Sequence, residues 1–207
     1  MSPAVYLSFL LTCLIIEITP GPNMAYLAVL SAADGRRAGF AATFGIAAGL
    51  LIVGIAAALG VAAVVSGSPI AYQALRWGGV LYLLWLAWDG WRENPETSPG
   101  RVDASEQHVK FFRRGLVVNL LNPKAAVFYV AILPGFVLPS SPATIQAITL
   151  TVSYVAIATI IHSLIVLLAG TARDFLQKRK RRMILRRILS LALAGIAVWF
   201  ASTTAGN

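Results

Sequence analysis

Charge is scarce in this chain. Asp, Glu, Lys and Arg make up 12% of the 207 residues, hydrophobic residues 58%, and mean hydropathy is +0.76. That is too little polar surface to cover a water-soluble globule of this size, so most of the chain is expected to face lipid. A single cysteine, Cys13, excludes an intramolecular disulfide, and its place in an apolar run reads as a packed thiol. No Lys or Arg precedes the first apolar stretch and no good cleavage site follows it, so the first segment is expected to stay in the membrane. There is no H-E-x-x-H and no G-x-S-x-G, and the longest loop has about twenty residues, which argues against a membrane enzyme. The apolar runs carry no Cys, Asp and Glu clusters of the kind metal ligation favours, and no cofactor is called for.

Six apolar stretches are present, at roughly 4–31, 38–66, 70–91, 115–138, 143–170 and 188–205. Each is close to or above the ~20 residues that a helix needs to cross ~30 Å of hydrocarbon, and each is continuously apolar, so the expected fold class is an all-α integral membrane protein of six transmembrane helices. The net charge is +9, and eight of the 17 Lys and Arg lie between Arg173 and Arg187 and five between Arg92 and Arg114. Basic residues gathered in loops are a topology signal, not the charged face of a nucleic-acid binder. Loops one, three and five are basic, whereas Gly67-Ser68-Pro69 and Pro139-Ser140-Ser141-Pro142 carry no charge. The positive-inside rule then places those basic loops in the cytoplasm and both termini outside or in the periplasm. Trp77, Trp88 and Trp91 fall near the ends of the third span and read as interfacial anchors; Lys178-Arg179-Lys180-Arg181-Arg182 reads as a site for anionic lipid headgroups.

The third loop, roughly 92–113, mixes both charge signs with Pro95, Pro99 and Gly100 and reads as a flexible cytoplasmic linker. It separates a first three-helix repeat, 1–91, from a second, 114–207, which starts from the opposite side of the membrane. That is the arithmetic of an inverted-topology repeat. The first helix of each repeat is interrupted at an equivalent place, by Thr19-Pro20-Gly21-Pro22-Asn23 and by Asn119-Leu120-Leu121-Asn122-Pro123-Lys124. Proline removes a backbone donor and clashes with the preceding turn, so both helices are expected to break and expose backbone polar groups near mid-membrane. Broken helices in matching positions of two halves are the best pointer to a transporter's binding site. Pro20, Gly21, Pro22, Asn23, Asn119, Asn122, Pro123 and Lys124 are accordingly the candidate substrate-binding residues, with Gly45, Gly49 and Gly54 read as helix packing.

Few titratable groups lie well inside the spans: Glu17 in the first, Lys124 in the fourth and His162 in the fifth. A lone charge there costs several kcal/mol, so each must pair, change protonation state or face water. Glu17 and His162 are candidates for taking up and releasing a proton, and Lys124 for attracting a carboxylate or serving as Glu17's counter-ion. A zwitterion suits such a site. Export of a metal or quaternary ammonium cation is the rival within transport, and a non-transporting membrane scaffold the rival outside it.

Pro20-Gly21-Pro22-Asn23 followed by Ser31, Gly35, Gly39, Gly45 and Gly49, together with Gly115-x-x-x-Asn119-Leu120-x-Asn122-Pro123-Lys124 followed by Phe128 and Pro134, resembles the LysE/RhtB family of amino-acid exporters. The resemblance implies a small permease of the bacterial plasma (inner) membrane that exports amino acids in exchange for protons, as a homodimer. Many members of that family carry a histidine late in the second span and an aspartate in the fifth, where this chain has Val53 and His162, with Glu17 added in the first. The acid and the imidazole have, on this reading, exchanged helices. Glu17→Gln and His162→Asn are each expected to abolish proton-driven export; intact gradient-dependent flux in both variants would show that the pair has no such role.

Overall fold

The computed structural model describes residues 2–59, 69–92, 104–138 and 142–175, with a few positions between 184 and 198. The sixth expected span and the basic run 178–182 lie largely or wholly outside these residues.

Every described element is a helix, and prolines and glycines decide where each one stops. Helix α1 (Pro3–Ile18) is capped by the Ser2 hydroxyl, which accepts from the Val5 N–H at 3.4 Å. It ends because Pro20 holds Thr19 in an extended conformation. Helix α2 (Pro22–Asp34) opens on a proline, which needs no intrahelical partner for its nitrogen, and closes at Gly35. Gly35 has φ 93°, a left-handed conformation that glycine adopts without Cβ strain, and it also starts α3 (Arg36–Ala58). Helix α4 (Pro69–Arg92) follows, then α5 (Ala104–Leu120), and after Asn122 the short α6 (Pro123–Val127). α6 widens into a π-helical turn over Phe128–Ile132 and tightens into a 3-10 turn over Leu133–Phe136. Pro134 supplies the reason, because its ring cannot fit over the carbonyl one α-turn back. Helix α7 (Ala143–Phe175) is the longest, with 33 residues.

Helices α3 and α7, the latter over Ala143–Thr171, are long and apolar enough to cross a membrane, and each bent pair adds one more span if counted as a unit. α1 and α2 meet at 55°, and the α5–α6 pair bends by 53°. Both breaks read from proline are present and bend their helices by nearly the same angle. One boundary differs. α5 begins at Ala104, so the last ten residues of the stretch expected as linker, 104–113, are helical. This first part is amphipathic, with Glu106, Gln107, Lys110 and Arg113 exposed and Phe111 and Phe112 half-buried, and a search for continuous apolar runs passes over such a helix.

The core is apolar as in a water-soluble protein, but the exterior is apolar as well, and several polar groups are buried. Leu7, Ile15, Ile18, Phe44, Ile52, Ile145, Val152, Ile160 and Leu168 are exposed, while Glu17, Asn23, Asn119, Asn122 and His162 are buried. Such an exterior is stable against hydrocarbon and not against water. Cys13 is fully buried, as its apolar setting suggests. Helix α3 packs most extensively on α5 and α7, and α7 also receives α1 and α2. The α3–α5 contact is made by glycines. A Cβ at Gly45 would strike the Phe112 carbonyl, and one at Gly115 the Ala42 carbonyl. Gly49 likewise leaves space for the Asn119 amide, whose Nδ2 would lie 2.8 Å from an added Cβ. These are the close backbone approaches that small-residue spacings permit. Helix α4 joins through Arg114, which donates to Asp89 at 2.6 Å and lies over the Trp85 ring.

Gly115→Ala is therefore expected to lower the melting temperature of the detergent-purified protein by several degrees, since overpacking against backbone costs about 1–3 kcal/mol. Gly135→Ala, where an added Cβ meets nothing within 4 Å, is expected to leave it unchanged. Equal melting temperatures for the two variants would refute the packing account.

Candidate functional site

The two breaks face each other. Ending α1 at Ile18 leaves the Thr19 carbonyl without an intrahelical donor, and the Lys124 ammonium, from the first turn of α6, donates to it at 2.6 Å. The lysine stem reaches across Gly21, where an added Cβ would come within 3.1 Å of Lys124 Cδ. Glycine at 21 thus keeps the path of the lysine open. Asn122 caps α6, its side-chain oxygen accepting the Lys124 N–H at 3.0 Å. One turn earlier Asn119 accepts a hydrogen bond from Asn23 Nδ2 at 2.9 Å, so a buried amide pair ties α2 to α5. The outer halves of that pair, Asn23 Oδ1 and Asn119 Nδ2, have no partner among the described residues.

Beside the breaks sits an acidic centre. Glu17, on the last turn of α1, is 4% exposed and accepts the Tyr154 hydroxyl on Oε1 at 2.5 Å. Its Oε2 lies 3.4 Å from His162 Nε2, within ion-pair range but without the alignment of a hydrogen bond. Tyr154 is held in place by its ring, which stacks on Phe128 at 3.7 Å between centroids and meets Tyr129 edge-on. Phe9 of α1 contacts Phe128 and Phe136. The aromatic cluster thereby joins α1, the segment after the second break, and α7.

Glu17, Gly21, Asn23, Asn122, Lys124 and His162 line one small cavity, with Met24, Ala125 and Tyr154. Its free core admits about one water molecule. Of the remaining residues singled out from sequence, Asn119 reaches this centre only through Asn23, Pro20 is exposed, and Pro22 and Pro123 act by starting α2 and α6. Tyr154 was not foreseen. It lies with Thr151, Val155, Ala158, His162 and Val166 on the buried stripe of α7, and a tyrosine on the same stripe as a membrane histidine was the available signal.

The arrangement is one of a buried carboxylate and a half-buried ammonium around broken backbone, and the LysE type translocator family model matches residues 14–204. The chain belongs to that family. Among similar proteins, the homoserine/homoserine lactone efflux protein of Salmonella typhi is 30% identical over 156 residues, 75% of this chain and 76% of the relative. A leucine efflux protein of Klebsiella pneumoniae subsp. pneumoniae is 31% identical over 64% of this chain and 63% of its own length. Another, from Enterobacter sp., is 26% identical over 90% of each. No solved structure matches the chain. This LysE-type chain is thus a bacterial membrane protein of an amino-acid efflux family and a translocator, not an enzyme.

The Tyr154–Glu17 bond is a charge-assisted one in a water-poor setting. A double-mutant cycle of Tyr154→Phe and Glu17→Gln, read by thermal unfolding in detergent, is expected to show a coupling of about 1–3 kcal/mol. Simple additivity would mean that the contact contributes nothing.

Proposed function

We propose that this protein exports an amino acid across the bacterial inner membrane in exchange for protons, through the cavity between the two broken helices. The observation that carries the reading is the Lys124 ammonium held on the Thr19 carbonyl, one break reaching into the other beside Glu17 and His162. A substrate carboxylate is a better partner for that ammonium than a neutral carbonyl, so binding would release Thr19 and loosen the tie between the breaks. Alternating access then follows as movement of one three-helix repeat against the other. The nearly equal bends of 55° and 53° support the inverted repeat. Basic loops inside, both termini outside and assembly as a homodimer complete the proposed arrangement.

The relatives' names direct the choice of substrate toward homoserine, its lactone and leucine. Efflux of an amino-acid panel from dipeptide-loaded cells is expected to rise for one of these classes at least severalfold. The gain should be lost in an Asn23→Ala, Lys124→Ala variant present in the membrane at equal level. An unchanged panel would sink the amino-acid reading, and equal efflux by the variant would move the site elsewhere.

A further inference from the structure

Glu17 offers its two oxygens unequally. Oε1 is occupied by the Tyr154 hydroxyl, whereas Oε2 faces His162 Nε2, and that nitrogen, in a residue 1% exposed, completes no hydrogen bond among the described residues. With the imidazole neutral and its proton on Nδ1, Oε2 and Nε2 are two acceptors facing one another. One positive charge satisfies both. A proton on Nε2 makes the contact an imidazolium–carboxylate pair, and the N–H groups of an ammonium can serve the two acceptors instead. There is one such position, because Tyr154 already holds the other oxygen.

The charges around the cavity point the same way. Glu17 is faced by Tyr154 and His162 from α7 and by Lys124 and Tyr129 from the α6 segment, with Cys13 on its own helix. Among the described residues, α2 adds only the uncharged Asn23 and Met24 to the cavity. With Glu17 ionised, it and Lys124 supply one charge of each sign. A zwitterion can pair both, its carboxylate on Lys124 and its ammonium on Glu17. A zwitterion together with an extra proton leaves one positive charge unpaired in a low-dielectric site, which is strongly disfavoured.

We propose that Glu17 and His162 form a single-cation site taken either by a proton or by the ammonium of the substrate, so that one proton is exchanged for each amino acid. This rests on the reading of the cavity as the transport site, and it adds to it a stoichiometry and the group that enforces it.

The test is calorimetric titration of the purified full chain with L-leucine and L-homoserine, in two buffers of different ionisation heat, between about pH 5 and 7, where the charged groups of these amino acids do not titrate. About one proton is expected to leave per amino acid bound at the acid end, with an apparent Kd that rises about tenfold for each pH unit of acidification. In Glu17→Gln the affinity is expected to lose its pH dependence and the proton release to vanish. Amino-acid binding by the wild type with a flat pH dependence and no proton release would overturn the shared site and leave the exporter reading intact. Absence of binding at every pH, together with a negative efflux panel, would overturn both. Should Glu17→Gln fail to fold, the pH dependence of the wild type decides the matter alone.

Discussion

Hydrocarbon offers no hydrogen bonds, so each backbone group released by a broken helix has to find a partner inside the protein. That constraint governs the centre of this molecule. The Thr19 carbonyl is met by the Lys124 ammonium, the Lys124 amide by the Asn122 side chain, and the amides of Asn23 and Asn119 meet each other. These contacts draw α1, α2, α5 and α6 to one point, and the polar cavity exists because they do. A straight α1 would leave Lys124 without this carbonyl.

The second layer of organisation is aromatic. Phe9, Phe128, Phe136, Tyr129 and Tyr154 fill the space beside the breaks and connect α1 to α7 through the π-helical turn. The stack fixes the direction of the Tyr154 hydroxyl, and with it the carboxylate of Glu17. Any movement at the second break reaches Tyr154 through Phe128 and Tyr129, since close-packed rings transmit displacement and do not absorb it. On the proposed reading, a protonation event at Glu17 and a helix movement would share one set of side chains. The widened turn before Pro134 departs from regular α-helix at the same place.

Membership of the LysE type translocators establishes the activity class, while the chemistry at the cavity belongs to this chain. Relatives named for homoserine and for leucine efflux resemble it to similar degrees, so overall identity does not choose between a polar and an apolar side chain. Met24 and Ala125 bring apolar surface to a cavity lined mostly by polar groups, and on the proposed reading they would make such a choice.

Sequence alone determined the helical, lipid-facing character of the chain, the two breaks and the identity of nearly all the polar residues at the centre. Each is a local property: a continuous apolar run, a proline with no N–H, or a charge too costly to leave in lipid without a purpose. The same local reasoning missed the helical start of α5, where an amphipathic turn extends the span into water, and Tyr154, whose importance depends on its partner. That Lys124 bonds a carbonyl 105 positions away, that Asn119 serves Asn23 and not the cavity, and that Glu17 divides its oxygens between Tyr154 and His162 were decided by tertiary structure. Hydrogen-bond partners so distant along the chain are selected by helix packing, through the close approach at Gly45 and Gly115 and the angles of the two bends, and no residue pattern along one helix encodes them.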